Sequence, residues 1–203
     1  IHDLRAIRIL LGSLREKVGV PLQYQSLATE ANVSVNTIKK YIDILESLYV
    51  IFRVVPWTGD VARSLLKTPK FFFYDTGLVI GDQGARFENL VAVALAKHAS
   101  ALGDWSGRNV ELRYIRTKDG REVDFCVVVD ERPSLLVEAK SADSTFSKSL
   151  LLYSESMGVA GIQVVRELKN ERQSGAVQLR RAESFLTELE PGAASGGEKW
   201  LPK

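Results

Sequence analysis

Arg121-Glu122-Val123-Asp124-Phe125-Cys126-Val127-Val128-Val129, followed after a short turn by Leu135-Leu136-Val137-Glu138-Ala139-Lys140, decides how this chain is read. Both runs are β-rich and apolar, and both carry charge. Strand side chains alternate between faces, so the pattern predicts that Glu122, Asp124 and Cys126 share one face and that Leu136, Glu138 and Lys140 share one face of the next strand. Asp124, Glu138 and Lys140 can then converge. A charge inside an apolar strand costs several kcal/mol if unpaired, so it calls for an ionic partner or a metal.

Working outward, Val110 to Arg116 reads as a strand joined to the first run through Thr117-Lys118-Asp119-Gly120, whose Asp-Gly pair favours a hairpin. Before it, Ala85 to about Ser100 reads as a helix with Phe87, Leu90, Val91, Ala94 and Leu95 on its apolar face, bordered by the carboxylate of Glu88. Gly103 to Asn109 reads as a loop. After the central strands, Phe146, Leu150, Tyr153 and Met157 recur at helical steps, and Gly161 to Val165 reads as a buried strand. Glu167 to Gly175 is a polar loop, Ala176 to Leu179 an edge strand and Glu183 to Leu189 a short helix. The expected fold for 84–190 is an α/β sandwich, with 191–203 a flexible tail.

The first 77 residues have a different pattern. Leu4, Ile7, Leu11, Leu14 and Val18 mark a first helix and Tyr24 to Ala31 a second. Ser34 is placed to cap a third that runs from Val35 to about Leu48. Its inward face is Val35, Ile38, Ile42 and Leu45, which leaves Asn36, Thr37, Lys39, Lys40 and Asp43 outward. That is a helix-turn-helix pattern, with Asn36, Thr37, Lys39 and Lys40 as candidate DNA-binding residues. Tyr49 to Pro56 and Lys70 to Tyr74 read as paired strands forming a wing, with a tip carrying Arg63 and Lys67. The glycine-rich segment Ile80 to Gly84 marks the domain boundary.

Composition narrows the function classes. A hydrophobic share of 45% with 26% charged residues describes a globular protein, and a net charge of +2 leaves nucleic-acid binding to local clusters. The single Cys126 excludes an internal disulfide framework and suits a reducing cytoplasm, and no run is long enough for a membrane helix. The start at Ile1, without methionine, reads as a fragment of a longer protein.

A glutamate on a helix, an aspartate on one strand and Glu-x-Lys on the next resembles the PD-(D/E)xK nuclease superfamily. The wider order, with Pro69-Lys70-Phe71-Phe72-Phe73-Tyr74-Asp75-Thr76-Gly77-Leu78 and Gly84-Ala85-Arg86-Phe87-Glu88-Asn89 before the central strands, is similar to the C-terminal region of a prokaryotic family of AAA-type ATPases. The resemblance implies an α/β (α+β) fold, a winged helix-turn-helix over 1–77 followed by a restriction-endonuclease-like domain over 84–190. It implies Glu88, Asp124, Glu138 and Lys140 as catalytic residues, with Asp124, Glu138 and Glu88 holding Mg²⁺ or Mn²⁺. It also implies DNA and an N-terminal ATPase domain of the same protein as partners, with ATP bound only in that half, since no Gly-x-x-x-x-Gly-Lys-Ser/Thr is present here. Ser141 stands where resolvase-like members carry glutamine. The functional expectation is a DNA-binding, Mg²⁺-dependent phosphodiesterase module. The alternatives are an inactive nuclease-like interaction module and a helix-turn-helix transcription regulator.

Overall fold

The computed structural model describes residues 4–58, 68–117, 120–142 and 145–189. Within them the elements run α1 (Leu4–Glu16), α2 (Tyr24–Ala31), α3 (Val35–Ser47), β1 (Ile51–Pro56), β2 (Lys70–Phe73), a 3-10 turn (Thr76–Leu78), α4 (Gln83–Ser106), β3 (Val110–Arg116), β4 (Glu122–Val129), β5 (Arg132–Lys140), α5 (Lys148–Met157), β6 (Ala160–Val165), β7 (Arg172–Ser174), β8 (Val177–Arg181) and α6 (Ala182–Glu188). The fold is mixed α/β. The proposed wing tip, the Lys118-Asp119 turn positions and the 191–203 tail lie outside the described residues.

Among the described residues one eight-stranded mixed sheet, in the order β2-β1-β3-β4-β5-β6-β8-β7, organises the fold. The β3-β4-β5 meander is antiparallel, and β6 adds to it in parallel after α5 crosses over. The β1–β2 hairpin pairs in the predicted antiparallel sense, yet it is not freestanding: Val55 and Pro56 pair in parallel with Arg113 and Tyr114 of β3. The Trp57 N–H extends that seam, donating to the Tyr114 carbonyl at 2.7 Å. The outer edge of β2 is covered, because Gly19 and Leu22 donate backbone hydrogen bonds to Phe71 and Pro69. A covered edge offers no row of unpaired backbone groups to another chain.

Two apolar clusters flank the sheet. The larger joins Leu10 and Leu14 of α1, Ile38 and Ile42 of α3, Phe71 to Phe73, Val91 and Leu95 of α4, and Phe125, Val127, Leu135 and Val137 of the central strands. The smaller holds Ile115, Val123, Cys126, Val128, Leu136 and Leu150. The N-terminal helices and the central strands therefore share one core.

Several sequence expectations change. In α1 the buried stripe is Ala6, Leu10, Ser13 and Leu14, while Leu4 is exposed. The third helix is capped as expected, with Ser34 Oγ accepting from Thr37 N–H at 3.1 Å, and Tyr41 joins Ile38, Ile42 and Leu45 inside. Helix α4 runs through Gly103 to Ser106, because Leu102 is buried and the reversal waits for Gly107, whose φ of 68° suits glycine. Leu90 is exposed, and Asn89 takes a core position instead. Val177–Arg181 is an interior strand. The edge is Arg172–Ser174, a fully exposed run with no apolar alternation to announce it.

Candidate acid-lysine cluster

The predicted alternation along β4 breaks at a bulge. Arg113 pairs with Cys126 and Ile115 with Val123, so Asp124 and Phe125 together oppose Tyr114. The extra residue turns both toward the α4 side, where Glu122 also points. Cys126 lies in the smaller cluster on the other face, which corrects the expectation that it shares a face with Glu122 and Asp124.

The β4–β5 ladder ends at Phe125 and Val137. Beyond it, side chains replace backbone pairing. Asp124 Oδ2 accepts from the Ala139 N–H at 2.9 Å, and the Glu138 carboxylate accepts from the Asp124 N–H. Each acid thus closes a donor on the opposite strand. Glu138 Oε1 lies 2.9 Å from Lys140 Nζ, while Oε2 is buried without a hydrogen-bond partner. Burial, then the neighbouring Asp124 charge, pushes Glu138 up to about 6 despite Lys140.

Lys70, at the start of β2, enters the same region, although the strand pattern alone does not single it out. Its side chain is 1% exposed, with Nζ at 2.6 Å from Glu122 Oε1, 3.4 Å from Glu88 Oε1 and 4.0 Å from Asp124 Oδ1. It also lies 5.3 Å from the centre of the Tyr114 ring. Burial alone would favour the neutral amine, but Glu88, Asp124 and Glu122 outweigh it and raise the lysine pKa. Glu88 is raised to about 7, mainly by burial and further by Asp124 and Glu122, with Lys70 acting against the rise. What the sequence does show is a charged residue opening an all-apolar strand.

Two further groups set this geometry. A Cβ at Gly19, whose φ is +73°, would lie 2.7 Å from Glu88 Oε1, so the absence of a side chain there lets the carboxylate pack against the turn. Asn89, fully buried, accepts from the Phe73 N–H at 2.8 Å and donates to the Phe73 carbonyl at 2.9 Å and Thr76 Oγ1 at 3.0 Å. It locks β2, and hence Lys70, to the helix that carries Glu88.

The structure therefore brings Glu88, Asp124, Glu138 and Lys140 into one region but divides them between two lysines. Glu88, Glu122 and Asp124 face Lys70; Glu138 faces Lys140. Among the described residues no group of three His, Cys, Asp or Glu side chains is arranged to hold a metal ion. Hard-oxygen donors for a smaller set are present, since Mg²⁺ commonly takes only one or two carboxylates and completes its shell with water or phosphate. Asp124 and Glu138, with its unpartnered Oε2, fit that requirement.

On α3, Asn36, Lys39 and Lys40 are exposed. Thr37 is half-buried, and its hydroxyl is tied to Ser34 Oγ at 2.9 Å, so it serves the cap. Lys39 Nζ lies 5.8 Å from the centre of the Tyr24 ring, and Asp43 binds Arg53 at 2.7 Å. No helix among the described residues is long and apolar enough to cross a membrane.

Two family models meet on this chain. Residues 1–84 match a domain of unknown function, DUF8612, and residues 83–182 match another, DUF4143. The acid-lysine cluster draws on both, with Gly19 and Lys70 in the DUF8612 region and the four predicted acidic and basic residues in the DUF4143 region. Two curated relatives, uncharacterized proteins of Mycobacterium bovis and Mycobacterium tuberculosis, are each 25% identical over 134 residues, covering 61% of this chain. The match spans only 30% of either relative's length. No solved structure matches significantly.

Proposed function

We propose that the chain is a DNA-binding, Mg²⁺-dependent phosphodiesterase module of a larger AAA-type ATPase. The observation that carries this reading is the buried, unpartnered Glu138 Oε2 beside Asp124, with Lys140 on the other carboxylate oxygen. A divalent ion held by Asp124 and Glu138 would polarise a phosphodiester and lower the pKa of an attacking water. Lys140 holds a positive charge beside that position and offsets negative charge growing on the phosphate. Exposed Lys39 and Lys40, with Asn36, supply phosphate contacts on the outer side of α3.

A second reading, an inactive interaction module linking the ATPase to DNA or to a protein, is favoured by one observation: Lys70 already neutralises part of the acid cluster. Paired binding and cleavage assays on linear and branched duplexes separate the two. Asp124→Asn is expected to abolish Mg²⁺-dependent cleavage and leave duplex affinity intact. Lys39→Ala with Lys40→Ala is expected to weaken binding and to reduce the slope of log affinity against log salt by roughly 0.9 per lost contact. Absence of cleavage by the wild type in Mg²⁺ and in Mn²⁺ refutes the enzyme reading. An unchanged salt slope in the double variant removes the DNA role of α3.

A further inference from the structure

We propose that Lys70 is a tethered counter-cation seated among Glu88, Glu122 and Asp124, so that a divalent metal ion enters among those carboxylates only when the Lys70 ammonium is withdrawn.

The count of groups supports this assignment. An ammonium has three N–H donors, and three carboxylates surround this one at 2.6, 3.4 and 4.0 Å. A bound Mg²⁺ or Mn²⁺ would need oxygen ligands at roughly 2.0–2.2 Å. The lysine nitrogen already lies 2.6 Å from Glu122, so ammonium and metal cannot share the position. The side chain is also hard to displace. Its strand is covered by the Gly19-Phe71 hydrogen bond on one edge, paired with β1 on the other, and clamped through Phe73 by Asn89. Gly19 closes against the Glu88 carboxylate from the far side.

A second observation shows that this end of the sheet retains capacity for a cation. Glu138, 5% exposed, keeps Oε2 without a partner while its carboxylate accepts from the Asp124 N–H. Asp124 thus stands between an acid group that has its cation and one with a free oxygen. The hairpin from the first half of the chain consequently controls how much negative charge the second half presents to a metal.

The inference shares the hard-cation chemistry of the proposed phosphodiesterase, but its test does not use cleavage. Mn²⁺ alone is titrated calorimetrically into the wild type, Lys70→Met and Lys70→Met/Glu88→Gln, with thermal melts in parallel. Lys70→Met is expected to bind Mn²⁺ at least about tenfold more tightly than the wild type, and the added Glu88→Gln to reverse most of that gain. Equal affinity in the wild type and Lys70→Met overturns the proposal. So does a gain that Glu88→Gln leaves untouched. If Lys70→Met fails to fold, Lys70→Met/Glu122→Gln removes one charge of each sign and leaves Glu88 and Asp124 facing the vacated position. It too must bind Mn²⁺ more tightly than the wild type, and unchanged affinity overturns the proposal. A tighter Lys70→Met with no cleavage by the wild type sinks only the phosphodiesterase reading, whereas wild-type cleavage without a gain in Lys70→Met sinks only this one.

Discussion

Glu88→Gln should make the protein more stable at pH 8 and flatten the dependence of stability on pH. Glu88 rises from an ordinary 4.5 to about 7, chiefly because burial penalises its charge and because Asp124 and Glu122 add repulsion. A carboxyl raised in the folded state favours folding while protonated. Its contribution is fully present below pH 4.5 and is lost as pH climbs through about 7. At about 1.4 kcal/mol per tenfold change in proton affinity, that loss amounts to about 3 kcal/mol across the window. The side chain is 23% exposed, so solvent screening trims this figure without removing it. Glutamine keeps the size and stays neutral, so most of the slope between pH 5 and 8 should vanish, leaving the smaller part due to Glu138, raised to about 6. Urea unfolding at half-unit steps from pH 5 to 8.5 measures both chains directly. If wild type and Glu88→Gln show parallel pH profiles, Lys70 holds Glu88 charged throughout, and the assignment of burial as the dominant influence is wrong.

Other perturbations test the supports of the cluster. Asn89→Ala leaves the Phe73 N–H and carbonyl buried without partners, at about 1–3 kcal/mol for each group, so denaturant unfolding should show a loss of roughly 2–6 kcal/mol; a change below about 1 kcal/mol would mean that β2 is held by its edge contacts alone. Gly19→Ala combines a left-handed backbone with a Cβ 2.7 Å from Glu88 Oε1. It should cost about 1–2 kcal/mol and, by driving the carboxylate toward solvent, reduce the pH slope in the same unfolding series; an unaltered slope would show that the turn yields instead of the acid. Thr37→Ala removes a partner of the Ser34 cap, and should lower the melting temperature slightly while leaving duplex affinity unchanged. A fall in affinity would return Thr37 to the proposed DNA surface.

Much of this architecture was legible because its elements bury apolar stripes at regular spacing. The three N-terminal helices, the antiparallel β1–β2 pair and the β3-β4-β5 meander all follow from such periods. What escaped the sequence depended on single residues acting through tertiary contact. The bulge at Asp124 and Phe125 adds one residue to a strand and leaves no mark in the hydrophobic pattern, yet it reverses the face of everything before it. Strand β7 carries only exposed side chains, so its pairing with β8 rests on backbone hydrogen bonds that composition does not signal. Asn89 occupies a core position on α4 because β2 offers it a backbone N–H and carbonyl, a partner invisible from the helix alone. Lys70 differs again: as the first residue of Lys70-Phe71-Phe72-Phe73 it sits where a strand end commonly reaches solvent, and only the tertiary approach of Glu88 and Glu122 makes it a buried charge.

The same contacts predict that residues 83–189 will not behave as an independent unit, although a family boundary falls at their start. Removing the first 82 residues takes away β1 and exposes the edge of β3, whose Arg113 and Tyr114 pair with it. It strips the large core of Leu10, Leu14, Ile38, Ile42 and Phe71 to Phe73, among them Phe72, whose ring packs 5.5 Å from that of Phe125. It also deletes Lys70, leaving Glu88 and Asp124 without that cation and Glu122 with Arg116 alone. Uncovered apolar surface, an unpaired edge and uncompensated buried charge all act in one direction. The isolated segment should retain far-ultraviolet circular dichroism while losing a cooperative melt and binding a hydrophobic dye, the behaviour of a loosely packed state. Hydrogen exchange then offers the sharper comparison. Amides of β3, protected in the whole chain, should exchange rapidly in the fragment. A fragment that melts cooperatively, with β3 amides protected as in the whole chain, would show that β4 to β8 and α4 suffice for the core and that the β1–β2 hairpin is an attachment to it.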